Sequence, residues 1–369
     1  METDKTLYRV SDGTGPSVHA CYDICPESPD GTRVVYFRFE NDAPGPGDIV
    51  LHERQAGGHH TIGRSPRGTT HAGARQQWAD PERVLWSEVD VVGPHVMVYA
   101  LPGDTLQPLD GACDTVSAEH NRTLYHSSLL REFGWDPSEE AVWSLDLATG
   151  NVDTFIIREQ ALEAHPHVDG LVPEQMRFWH SRWSPDGSQL FVVFTNTLAA
   201  SDNPGEVPQV TSLMLADADG TNLRYLWPCG EDPTWTPDGR SIHAHEYGPL
   251  RPEAGNPPAG HSREERGEQI LVMRPLDGSE PTVLQRGPGR HSSLCPHGSR
   301  LITEVVQQDT AEIRLYEAPG DEPENYEVLV SYAAQKTGIH GHPAWSRDGE
   351  RVYFNGRREG TVQLYCVEI

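Results

Sequence analysis

The sequence predicts an all-β chain folded as one domain, a seven-bladed β-propeller spanning residues 1–369. Three observations predict it. A unit combining a tryptophan, a Pro-Asp-Gly turn and an apolar strand recurs along the chain. Its copies stand about 50 residues apart, the length of one four-stranded blade. Helical periodicity is nearly absent.

The clearest copies are HSRWSPDGSQLFVVF at 180–194, DPTWTPDGRSIHAH at 232–245 and HPAWSRDGERVYFNG at 342–356. HSSLCPHGSRLITEV at 291–305 keeps the frame with Leu294 in the tryptophan place, and SPDGTRVVYFRF at 28–39 keeps its second half. Degenerate copies are read at QWADPERVLW (77–86) and SAEHNRTLYHS (117–127). The anchors therefore fall near 27, 78, 117, 183, 235, 294 and 345. In each copy Pro-Asp-Gly supplies a tight turn, and the β-branched and aromatic run after it has strand length.

The outer hairpins of blades are read at 143–155, 213–227 and 271–284, each an apolar strand, a glycine turn and a second strand. Residues 112–142 read as a long loop with irregular strands, and the Pro-rich charged stretch at 249–268 as an insertion within a blade. TLYRVS at 6–11 and TVQLYCVEI at 361–369 are both strand-like, so pairing of these two segments is expected to close the ring.

Composition narrows the function classes. With 29 Lys+Arg against 55 Asp+Glu the formal charge is −26, a field that repels polyanions, so no nucleic-acid partner is expected. No apolar run reaches membrane-span length, and METDKTLYRV lacks the features of a signal peptide. A cytoplasmic protein with no membrane partner is expected. The six scattered cysteines then read as reduced thiols, with Cys21 and Cys25 a weak metal pair lacking a second one.

The histidines follow the repeat. His180, His291 and His342 each stand three positions before the tryptophan place, so blade symmetry is expected to direct all three to one site. His340 and His342, read as strand residues two apart, share a face, and with His291 they offer three imidazole nitrogens to a first-row divalent metal. Thr337, Gln335, His180 and water are the candidates for a fourth ligand. In HAHEYGPL (243–250), His245 lies at a strand end before Glu246, Tyr247, Gly248 and Pro249, a place for a titratable base. The segment lacks the second histidine of a helical zinc-protease motif, and the chain has no phosphate loop and no nucleophile elbow.

These residues resemble the oligogalacturonate lyases, seven-bladed propeller enzymes that cleave short pectin fragments in the cytoplasm. Over the last 140 residues or so the family carries a His-Glu-Gly-Pro element, similar to His245, Glu246, Gly248 and Pro249 with Tyr247 inserted, then a histidine similar to His291 and a His-x-His similar to His340 and His342. The resemblance implies that His291, His340 and His342 hold Mn2+ or another first-row divalent metal, and that His245 is the catalytic base. Thr337 replaces the family's metal-binding glutamine, and Asp232-Pro233 stands where the family has His-Pro. The implied reaction is β-elimination on an anionic, uronate-containing oligosaccharide, giving a 4,5-unsaturated product, with Arg182 as candidate carboxylate clamp. Two other classes carry the same repeats: a non-catalytic platform for proteins or sugars, and a propeller associated with a peptidase or with periplasmic translocation.

Overall fold

The computed structural model describes residues 5–117, 119–202, 209–247, 268–317, 320, 325–334 and 339–369. The 249–268 insertion, apart from its last residue, and the two ligand candidates Gln335 and Thr337 lie outside them. Seven four-stranded antiparallel sheets follow one another along the chain, the fold of a seven-bladed β-propeller.

Two compact units divide the sheets. The first comprises described residues of Met1–Cys113, Gly289–Pro319 and Glu324–Ile369, the second those of Asp114–Pro288 and Gly320–Pro323. In the first unit, blade 1 is Ser17–Val18, Arg33–Phe39, Gly45–Glu53 and His59–Gly68, and blade 2 is Gln77–Asp80, Arg83–Val89, Pro94–Ala100 and Thr105–Asp110. Blade 6 is Arg290–Leu294, Leu301–Gln307, Thr310–Tyr316 and Glu327–Ala333. Blade 7 takes Ala344–Trp345, Arg351–Glu359 and Thr361–Glu368, and its fourth strand is Leu7–Arg9, with Leu7 opposite Val367 and Arg9 opposite Tyr365. The two strand-like segments read from the sequence thus pair.

The second unit holds blade 3 (Thr115–Ser117, Arg122–His126, Ala141–Asp146, Val152–Ile157), blade 4 (Arg177–Trp183, Gln189–Thr195, Thr211–Asp217, Arg224–Pro228) and blade 5 (Glu231–Trp235, Ser241–Tyr247, Gln269–Pro275, Thr282–Arg286). The stretch read as a long loop with irregular strands over 112–142 supplies two short strands of blade 3, the start of its third, and a short helix, Ser127–Glu132, that was not expected. The His126 imidazole caps that helix by accepting from the Leu129 N–H.

The repeat has a physical cause at each of its two marks. Ser28, Ser184, Thr236 and Ser346 each donate a hydroxyl at 2.6 Å to the turn aspartate two residues on. That aspartate accepts a backbone N–H from the far side of the turn, and the glycine after it is left-handed, φ 68–72°. Hydrogen bonds from Ser184 and Ser188 hold the Asp186 carboxyl down at about 2. The tryptophans tie blade to blade: within the first unit Trp78 donates its indole N–H to the Pro26 carbonyl and Trp345 to that of Ser293, and within the second Trp235 donates to Arg182. Each unit has its own apolar core, with Phe37, Trp78 and Trp86 in the first and Phe178, Phe194 and Met214 in the second.

Candidate metal centre and active site

The site begins with a backbone feature. The residue three before the tryptophan place is left-handed in five blades: Arg75 (φ 58°), His180 (φ 44°), Asp232 (φ 56°), His291 (φ 50°) and His342 (φ 46°). At His180, Asp232 and His291 the ladder slips register, a bulge that re-aims the side chain. A side-chain-bearing residue in this region costs ~1–2 kcal/mol, strain of the kind that concentrates at functional sites.

In the first unit the bulges converge. His291, His340 and His342 bring one ring nitrogen each to within 4.8 Å of one another, and Cys21, His71 and His342 do the same with Sγ and two nitrogens. His291 and His342 are buried, and His340 is half-buried. The expectation that strand alternation aligns His340 with His342 is corrected: neither lies in a strand, and the left-handed turn at His342 is what swings its ring into the cluster.

Buried partners set the ring orientations. The Glu304 carboxylate, 1% exposed, accepts from His291 Nδ1 at 2.9 Å, which leaves His291 Nε2 facing His340 Nδ1 at 3.2 Å. Burial alone would raise the Glu304 carboxyl; His291, Arg290 and the Gly341 N–H outweigh it and hold it at about 2. Tyr332 adds a further hydrogen bond at 2.9 Å. Gly341 has to be glycine, since a Cβ there would strike the Tyr332 hydroxyl and the Glu304 carboxylate. Asn355 donates to the His340 carbonyl at 3.2 Å and binds the Gly341 carbonyl through its own N–H at 2.7 Å.

His342 is the centre of this arrangement. Its Nδ1 meets the Ala20 carbonyl at 3.3 Å, which places the proton there, and its buried Nε2 has no hydrogen-bond partner among the described residues. Burial, followed by the neighbouring imidazoles, lowers its pKa well below the ordinary value, so the ring is neutral. Converging imidazoles, one aimed by a buried carboxylate and one, the neutral His342, with an orphaned nitrogen, fit a divalent metal.

The other predicted residues lie in the second unit. His245, 1% exposed, sits in the strand Ser241–Tyr247 opposite Glu231 and Leu271. Neighbouring Glu246 is held by Arg274 in a two-bonded ion pair at 2.7 and 2.8 Å. Arg182 is no surface residue: it is 5% exposed, and its guanidinium binds the buried Asp114 at 2.7 Å. His180 lines a cleft with Trp179, Arg177 and Asp232.

Three residues of the cluster, Glu304, His71 and Arg75, escaped the sequence reading, while Cys21, read there as a weak metal pair with Cys25, falls in a donor group with His71 and His342. Glu304 and His71 gave no positional signal. Arg75 did give one, standing three before Trp78 as the histidines stand before their tryptophans. It is 2% exposed and donates to Cys21 Sγ at 3.4 Å, so a guanidinium borders the imidazole cluster.

No family model matches the chain, and no curated protein does. Among solved structures, the chain is similar over its whole length to an oligogalacturonate lyase in complex with manganese, at 13% identity, 94% of that chain covered and a TM-score of 0.68. It is similar to the oligogalacturonate lyase of Vibrio parahaemolyticus at 13% identity and TM-score 0.66, again covering all of this chain and 94% of the other. A prolyl endopeptidase matches 99% of this chain with 50% of its own, at 11% identity and TM-score 0.53. At these identities the likeness is one of fold.

Proposed function

We infer that the chain is a metal-dependent lyase that cleaves uronate-containing oligosaccharides by β-elimination. The observation that carries this reading is the histidine cluster, with the orphaned His342 Nε2 at its centre. The fold is shared with peptidase propellers as well as with oligogalacturonate lyases, so the fold alone does not support one chemistry over another. No helix among the described residues is long and apolar enough to cross a membrane.

His291, His340 and His342 would hold the ion, Mn2+ or another first-row divalent cation. When bound there, it supplies Lewis-acid neutralisation of the uronate carboxylate, which makes the C5 proton acidic. The chain's own residues do the rest. Arg75, buried beside the cluster, offers a fixed guanidinium to the same carboxylate; it takes up the clamp role expected of Arg182, whose charge is already matched by Asp114. The step also needs a general base to accept the C5 proton, the role that the resemblance to the lyases implies for His245. The C5–H electron pair then forms the C4=C5 double bond as the C4–O bond breaks, and the departing oxygen takes a proton. In a chain of net charge −26, this local grouping of cations is what would let an anionic sugar bind.

The experiment is a screen of oligogalacturonides and other uronate oligomers with metal-loaded protein, read as ultraviolet absorbance of the unsaturated product. A flat trace with every substrate rejects the lyase. With an active substrate, His245→Ala is expected to lower turnover on the order of 10²- to 10⁴-fold at unchanged metal content.

A further inference from the structure

His71 lies at the edge of this cluster on a turn built to hold it still. Thr69 and Gly73 exchange two backbone hydrogen bonds at 2.8 Å each, and the Thr69 hydroxyl accepts from the Ala72 N–H at 3.1 Å. Gly73 is left-handed (φ 58°), and a Cβ there would strike Phe37, so the turn is seated directly on the core of blade 1. Ala72 and Ala74, either side of Gly73, are fully buried. A side chain presented this way loses little freedom on taking up a ligand.

Ring positions place His71 among the other imidazoles. Its centroid is 4.4 Å from that of His342, the same separation as His291 from His342. It is 5.0 Å from His340, closer than His340 and His342 are to each other at 5.6 Å. A ring nitrogen of His71 lies within 4.8 Å of a donor atom of His342, the residue common to both donor groups.

Resting on the metal reading above, we propose that His71 is the fourth protein ligand of the centre. His71 joins the His291, His340 and His342 group through His342, its ring centroid lying 6.2 Å from that of His291, and with them it would make an all-imidazole set. Four imidazoles without a carboxylate or amide oxygen suit nitrogen-preferring ions such as Co2+, Ni2+ and Zn2+ better than Mn2+. Cys21 Sγ, within 4.8 Å of His71 and His342, is the competing donor, and its contact with Arg75 assigns it to the wall of the site.

The test uses the full chain stripped of metal and titrated with Co2+ against a chelator, with visible and near-ultraviolet spectra recorded. His71→Ala and His71→Asn are expected to weaken Co2+ by at least 10- to 100-fold, the loss produced even by residues that only orient metal ligands, and to change the visible bands. Wild type is expected to take Co2+ or Zn2+ over Mn2+ at equal concentration. His71 is half-buried, so the metal-free variants should melt with the wild type, separating ligand loss from misfolding. Unchanged affinity and spectrum in both variants, in a protein whose binding still needs His342, overturns the His71 assignment and leaves the metal centre standing. A sulfur-to-cobalt band that survives in His71→Ala and vanishes in Cys21→Ser gives the fourth place to Cys21 and overturns it too. A wild type that takes up no divalent ion sinks both this proposal and the function it rests on.

Discussion

Each unit contains a buried carboxylate cluster beside a left-handed repeat position, and the two end differently. In the second unit the Asp114 carboxylate accepts from the Ser181 N–H, the Ser181 hydroxyl and Arg182, with His126 Nε2 at 3.3 Å. Every charge there meets its counterpart inside the protein. In the first unit Glu304 collects His291, Arg290, Tyr332 and Gly341 in the same manner, but the network runs on through His291 to imidazoles that end at an orphaned nitrogen. Both clusters sit beside left-handed bulges of the same repeat. A closed network holds blades together; an open one holds out a valence for something else.

The sharpest way to break this contrast is to exchange equivalent bulge residues. His342→Ala is expected to abolish metal retention, and His180→Ala, at the same repeat position, to leave metal content at the wild-type level; elemental analysis of the two purified variants decides it. The two carboxylates come next. Asp114→Ala leaves a buried Arg182 unmatched and should cost ~3–5 kcal/mol in denaturant unfolding without changing metal stoichiometry. Glu304→Gln should instead weaken the metal on the order of 10- to 100-fold in chelator competition. Equal metal loss in both variants would erase the distinction.

Acid sharpens the comparison further. Burial, then His245, pushes the second unit's His243 down to about 3, against about 6.5 in an unfolded chain. The fold therefore favours neutral His243, whose stabilising effect is complete above pH 6.5 and is lost progressively between 6.5 and 3. Neither ring nitrogen of His243 has a hydrogen-bond partner among the described residues. His243→Leu should therefore leave stability at pH 7 nearly unchanged and flatten the acid side of the unfolding-midpoint curve. An unaltered slope would show that other groups set it. The smallest effect belongs to the bulge itself: His180→Gly relieves the left-handed strain and should be neutral or stabilise by up to about 1 kcal/mol, while His180→Val should destabilise, both read in thermal unfolding.

The blades could be read from the chain because their causes are local. A serine or threonine, an aspartate and a glycine close the turn in four blades, and in two of these, at Trp235 and Trp345, the tryptophan three residues before the aspartate reaches back to the previous blade. The same locality exposed His291 and His342, since repeat position encodes backbone conformation. The rest of the site is assembled by chain separation. Glu304 reaches Gly341 across 37 residues, and His342 lies against Ala20 across 322. No spacing rule reports such contacts. Nor did the pattern disclose that the position before the tryptophan is left-handed, although Arg75 and Asp232 mark it as firmly as the histidines do.

Blade 7 draws its fourth strand from Leu7–Arg9, and the first unit joins segments on either side of a 175-residue excursion, Asp114–Pro288. During translation, blades 3 to 5 can each condense as they emerge, whereas the imidazole at position 71 must wait for those at 291, 340 and 342. The imidazole cluster is therefore among the last parts of its unit to take shape, and any ion it binds would be captured only once the segment carrying His340 and His342 has been made.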